Sequence, residues 1–379
     1  MNNKVVMPGI FKSEIRLWVS IVSILLVFNF GNYWFEDLSN TLWFSFLFVW
    51  LFIVIAWLAF GVVKHADALA ILLGEPYGTV ILTLSVIIIE VVMISAVMLT
   101  GEGNSTLGRD TLFSVLMIVL NGILGVTLLL GGLRHKEQSY NLQGATTYLS
   151  VLIPIAGLSL IVPRYLPTAP GGQVTLLVGV WLVIVSVVLY GAFLWIQTLR
   201  HSSFFTEPTA HDGAKEVCTD HHGNLIVRTI RFHALLLPLT MLPIVLLSKK
   251  MALLVDHGIS TLNGPQALGG FLIAILVLAP EGLAAIKSAL GNQLQRTINI
   301  ALGSSLSTIG LTIPALMVIS IITGHTIELG LDEANLFLLL ITILVTVINF
   351  VGTKTNVLCG IVHLVLFFTY VVFMFDVGV

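Results

Sequence analysis

The chain is written in long apolar runs separated by short polar breaks. Eleven runs have the length of a membrane-crossing helix, about 20 residues. They are 14–31, 41–62, 77–100, 110–132, 145–162, 173–198, 229–248, 266–289, 296–323, 334–351 and 356–375. The breaks are rich in Gly, Pro and Asn, as in 163–172 and Asn263-Gly264-Pro265, residue types that end helices. The longest polar stretch, 201–228, separates the sixth run from the seventh. The pattern predicts an all-α polytopic membrane protein of about 11 transmembrane helices.

Composition narrows the class further. Of 379 residues, 57% are hydrophobic and 9% charged, and the mean hydropathy is +1.04. A soluble domain carries about 25% charged residues. A soluble enzyme, a disordered chain and a nucleic-acid binder are therefore excluded, and the lipid bilayer is an obligatory partner. Cys218 and Cys359 offer neither a disulfide framework nor a thiolate metal site. The first run follows Lys4, Lys12 and Arg16 as a signal peptide would, but residues 32–37 lack a small-x-small cleavage pattern, so it reads as a retained span.

The basic residues orient the chain. With the N-terminus cytoplasmic and the spans alternating, 13 of the 17 Lys and Arg fall on the cytoplasmic side. Only Arg109, Arg164, Lys249 and Lys250 fall outside. This predicts a multi-pass protein with a cytoplasmic N-terminus and an external C-terminus.

Nearly all acidic residues lie in loops or at span ends. Glu90, after Ile87-Ile88-Ile89, and Glu281, in Ala279-Pro280-Glu281-Gly282, lie deep in spans three and eight. A carboxylate at that depth costs about 2.5–3.5 kcal/mol on insertion scales and usually faces a functional cavity. With span one set aside, each glutamate sits in the second span of a group of five. Odd groups run in opposite directions, the arrangement of an inverted repeat with its site near the midplane. The expected units are an extra span (1–35), a first repeat (36–198), a cytoplasmic linker (199–228) and a second repeat (229–379).

The next spans correspond as well. Ten residues after Thr111 comes Asn121, and ten after Thr297 comes Ser307. Span nine carries Ser304, Ser305, Ser307 and Thr308, hydroxyls that serve as cation ligands or as helix-packing groups. Pro280 should free carbonyls beside Glu281. His363 reads as a packing residue or a proton relay. Lys64-His65-Ala66-Asp67 reads as the cap of an interfacial helix. The linker holds His201, His211, His221 and His222 without the spacing of a zinc site, and reads as a solvated loop.

Gly74-Glu75-Pro76-Tyr77-Gly78, followed by a span carrying Glu90, resembles the first α-repeat of the calcium/cation antiporter superfamily. Residues from Ala279-Pro280-Glu281-Gly282 through Gly303-Ser304-Ser305 to Pro314 resemble the second. The nearest branch is the bacterial calcium(sodium)/proton antiporters. The resemblance implies a secondary antiporter exchanging Ca2+, or Na+ or K+, for protons by alternating access. It places the repeat glutamates at Glu90 and Glu281, the amide at Asn121, its counterpart at Ser307 and the Gly-Ser serine at Ser304. Ser305 belongs to the same hydroxyl run. The Gly-Asn-Ala that precedes the acidic residue in plant and fungal relatives is replaced here by apolar residues. The implied partners are inorganic cations and protons, with no resident cofactor; a homo-oligomer is compatible with the pattern. The alternatives are a passive channel and an intramembrane enzyme using the two carboxylates as acid and base. His-Glu-x-x-His, Gly-x-Ser-x-Gly and mid-span aspartate pairs are all absent.

Overall fold

The computed structural model describes residues 13–74, 77–100, 105–167, 170–208, 227–324 and 326–376. Its helices are α1 (Ile15–Trp34), α2 (Thr41–Leu73), α3 (Tyr77–Thr100), α4 (Leu107–His135), α5 (Leu142–Tyr165), α6 (Leu176–Arg200), α7 (Ile230–Thr261), α8 (Ala267–Leu290), α9 (Leu294–Thr323), α10 (Glu333–Asn349) and α11 (Val357–Asp376). Among the described residues nine helices are long and apolar enough to cross a membrane; α10, with 17 residues, is shorter. The chain is an all-α polytopic membrane protein.

Local chemistry sets many of the ends. Asn40 accepts the Leu42 and Trp43 amides at 3.0 and 3.2 Å and starts α2. Asn141 caps α5 and Asp332 caps α10 in the same way. Gly74 (φ +69°) and Gly324 (φ +71°) end α2 and α9 in a backbone region that a side chain would strain. Thr229 starts α7.

Two helices exceed their apolar runs. α2 continues to Leu73 and α7 to Thr261, where hydropathy alone ends them at 62 and 248. Lys64, His65 and Asp67 are therefore interior to α2 and cap nothing. Lys249 and Lys250 are interior to α7, with Lys250 Nζ 4.9 Å from the centre of the Phe35 ring. A helix tolerates such residues where partners or the membrane surface satisfy them, and 33 residues of α2 reach about 50 Å.

α4 and α9 form the centre. α4 is the most enclosed of the long helices. It packs on α8, α11 and α9, while α9 packs on α8, α6, α5 and α3. Close approach at α4 depends on small residues. A Cβ on Gly360 would lie 2.3 Å from the Leu129 amide, and one on Gly270 2.7 Å from the Thr111 amide. α2 crosses α7, and both lie against the glutamate-bearing helices α3 and α8. α1 is peripheral, joined to α2 by Trp34, whose ring meets those of Trp43 and Trp50 edge-on at 5.8 and 6.0 Å.

Two short β pairings tie loops together. β1 (Gln138–Ser139), between α4 and α5, pairs antiparallel with β2 (Lys354–Thr355), between α10 and α11. Gln173, between α5 and α6, bridges to Glu328, between α9 and α10.

Candidate cation site

Glu90 is completely buried on α3. Its two oxygens accept hydrogen bonds from α9: Thr308 Oγ1 donates to Oε2 at 3.0 Å, and Thr312 Oγ1 to Oε1 at 3.3 Å. Glu281 on α8 is partly exposed, and its Oε2 accepts from Ser304 Oγ, again on α9. Ser304, Thr308 and Thr312 are spaced by four residues and so form one stripe of α9. That stripe serves both carboxylates, and the charge of Glu281 is felt at Glu90. Asp67 lies near the end of α2, a helix that packs against α8.

The serines divide. Ser304 joins Glu281; Ser307 Oγ turns back to the Ser304 carbonyl at 3.1 Å. Ser305 Oγ is buried with no hydrogen-bond partner among the described residues. α8 runs through Pro280 as an unbroken helix. Proline there removes a single backbone donor.

Asn121 lies in a π-helical segment of α4, Met117–Ile123, a distortion frequent at functional sites. That segment runs beside the site, since Ile123 touches α8 at Gly282. The Asn121 side chain is held by other partners, with no hydrogen bond to either glutamate among the described residues. Its Nδ2 donates to Thr342 Oγ1 on α10 at 2.8 Å, and its Oδ1 lies 3.2 Å from His363 Nδ1 on α11. His363 thus packs against Asn121. Thr312 is a site residue that the motif reading passes over, though its four-residue spacing from Thr308 is visible in the sequence. The linker residues His211, His221, His222 and Cys218, and Glu75 and Pro76 of the first repeat motif, lie outside the described residues.

Two carboxylates within a membrane-spanning helical bundle are thus bracketed by hydroxyls of one helix. The sodium/calcium exchanger protein profile matches residues 43–199 and 232–375, and the chain belongs to that family. It is 40% identical over 319 residues to the sodium-potassium/proton antiporter ChaA of Escherichia coli (strain K12), covering 84% of this chain and 85% of that protein. It is 41% identical over 309 residues to the putative ionic transporter y4hA of Sinorhizobium fredii (strain NBRC 101917 / NGR234), covering 81% and 83%. The fold is shared with native YfkE, at a TM-score of 0.72 and 17% identity over 95% of this chain and 99% of that one. The H+/Ca2+ exchanger CAX has a TM-score of 0.63 at 13% identity, covering 95% and 88%. The chain is thus a membrane cation antiporter of this family.

Proposed function

We propose that this antiporter exchanges a hard cation, Ca2+ with Na+ and K+ as competing cargo, for protons at one midplane site built on Glu90 and Glu281. The observation that carries the reading is the α9 stripe, which brings one hydroxyl to Glu281 and two to Glu90. The groups are all oxygen donors, which suit hard cations above transition metals. Ser305 and Ser307, on the same helix, are candidate further ligands. Asn121 joins them only if its carboxamide turns from Thr342.

Charge makes the site an exchanger. A divalent cation needs both carboxylates ionised, so its binding expels protons, and protonation expels the cation. The empty site, with two uncompensated charges, is too costly to carry through the apolar bundle. Only loaded forms cross between two orientations, and cation and proton flows are therefore coupled. A passive channel needs weak sites along a continuous pore, a poor fit to a carboxylate pair of which Glu90 is completely buried.

Alternating access by inverted five-helix repeats is supported by the loop pairings. Inversion carries the α4–α5 loop onto the α9–α10 loop and the α10–α11 loop onto the α5–α6 loop. The β1–β2 pair and the Gln173–Glu328 bridge are then counterparts on opposite faces. The Lys- and Arg-rich face is assigned to the cytoplasm.

The cargo is read by direct comparison. The 40% identical relative is named for sodium and potassium, and a 24% identical one, from Bacillus subtilis (strain 168), for calcium. Purified protein in proteoliposomes under an imposed pH gradient should drive uptake of Ca2+, Na+ or K+ against its gradient, with Mg2+ the poorest substrate. Glu90→Gln and Glu281→Gln should each abolish that uptake without loss of folded protein. Near-normal exchange by either variant would contradict the site assignment.

A further inference from the structure

Away from the carboxylate pair, one buried polar cluster joins three helices. Glu14 heads α1, Lys64 and His65 lie on α2, and His233 lies in the first turn of α7. Glu14, His65 and His233 are 5%, 0% and 1% exposed. Lys64 Nζ donates to Glu14 Oε1 at 2.8 Å and to the Ser13 carbonyl at 3.0 Å. His65 Nε2 lies 3.1 Å from Glu14 Oε2, and His65 Nδ1 lies 2.9 Å from His233 Nδ1. The Arg228 backbone amide donates to His233 Nε2 at 3.0 Å.

These contacts fix the protons by elimination. An imidazole nitrogen facing an N–H must offer its lone pair. His233 Nε2 faces the Arg228 amide, so the His233 proton sits on Nδ1. That N–H faces His65 Nδ1, which must accept, so the His65 proton sits on Nε2 and is donated to the Glu14 carboxylate. Two neutral rings therefore satisfy all four ring nitrogens in one directed chain, Arg228 to His233 to His65 to Glu14. A third proton has no vacancy. On His65 Nδ1 it meets the His233 N–H. On His233 Nε2 it meets the Arg228 amide, which costs only that one bond and leaves the chain to Glu14 intact.

The charges around the cluster are Glu14 and Arg16 from α1, Lys64 from α2 and Arg228 from the segment entering α7. Asp67, two residues beyond His65, makes no ion pair within the cluster among the described residues. Glu14 stands outside the helical span of α1 and stays ionised. Burial alone would raise its carboxyl, but the hydrogen bonds from His65 and Lys64 and the charge of Lys64 outweigh this and hold it below the ordinary carboxylate range.

We propose that this cluster is a proton-operated latch. With both histidines neutral it ties α1 and the chain entering α7 to α2, and one added proton releases the Arg228 end. α2 and α7 both lie against the glutamate-bearing helices, so the latch state reaches the transport machinery through packing. This last step alone rests on the exchange reading above.

The test uses the full chain in lipid nanodiscs. Amide hydrogen exchange over residues 227–236, corrected for intrinsic rates, is compared at about pH 8 and about pH 3.5, the acid end lying below the ordinary histidine range because burial beside Lys64 and Arg228 opposes a further positive charge on His233. The wild type should lose about tenfold in protection at the acid end, the equivalent of one hydrogen bond. His233→Gln, which can bond but not titrate in this range, should show the same protection at both. A companion transport assay should show a step in the wild-type rate across that interval, reduced in His233→Gln. Unchanged wild-type protection, or an equal acid loss in His233→Gln, would overturn the latch. The wild-type comparison decides alone if the variant fails to fold. Because exchange protection is read without transport, its result stands apart from any failure of the antiport reading.

Discussion

Replacing Thr308 by valine keeps the side-chain volume and removes one donor to the Glu90 carboxylate. A hydrogen bond to a charged group contributes about 1.5–3 kcal/mol. Thr308 donates to Oε2 at 3.0 Å, while Thr312 stays on the other oxygen at 3.3 Å, so the lower end of that range applies. About 1.5 kcal/mol is slightly more than a tenfold change in a binding constant. The donor stabilises ionised Glu90, the form that holds a cation, so Thr308→Val should weaken apparent cation affinity about tenfold at fixed pH. The maximal rate at saturating cation should stay near normal. Thr308→Ser, which restores the hydroxyl, should recover most of the affinity. Thr312→Val should cost less, about threefold, because its bond is longer. The readout is initial uptake into proteoliposomes as a function of cation concentration, with protein quantity and folding checked in detergent. Unchanged affinity in well-folded Thr308→Val, or a lost maximal rate with intact affinity, would refute the assignment and leave Thr308 a packing residue.

Further outcomes follow from the neighbouring contacts. Ser304→Ala should weaken cation affinity by a factor similar to that of Thr308→Val, because it strips a donor from Glu281; an unaltered titration curve would contradict this. Asn121→Ala leaves Thr342 and His363 without their partner inside the bundle and should cost about 1–3 kcal/mol of stability, read as a lower melting temperature. If Asn121→Ala melts like the wild type but binds cation poorly, Asn121 acts as a ligand and not as a strut. Gly360→Ala places a methyl group against the Leu129 amide and should destabilise the α4–α11 contact by about 1–3 kcal/mol, seen as reduced yield and melting temperature; wild-type values would show that α11 can shift.

The eleven helices were legible because a bilayer demands long apolar runs of every crossing helix, and nine of them, among the described residues, have the length and polarity to cross. The errors fell where that rule yields to pairing. Lys64, His65 and Asp67 look like the end of a span, but Lys64 and His65 find Glu14 and His233 and stay inside the helix. His65 and His233 are 168 residues apart, and nothing periodic links them. Glu90 and Glu281 stand out in the sequence because charge in an apolar run is expensive, and the structure places both against hydroxyls of α9. The partners of Asn121 were not, since they come from α10 and α11, and the direction in which an amide turns depends on helices far along the chain. Pro280 removes one donor without breaking α8. A helix can lose one donor and continue when its neighbours hold it straight.

The central claim is that cation and proton compete for the same pair of carboxylates. Apparent cation affinity measured on the Lys- and Arg-rich face across about pH 6–9, with the maximal rate recorded at each pH, tests it most directly, because that window spans the range in which enclosed carboxylates can exchange protons for cations. The account predicts that affinity falls steadily as pH drops while the maximal rate at saturating cation changes little. An affinity that stays flat across the window would contradict it and show that protons are carried elsewhere.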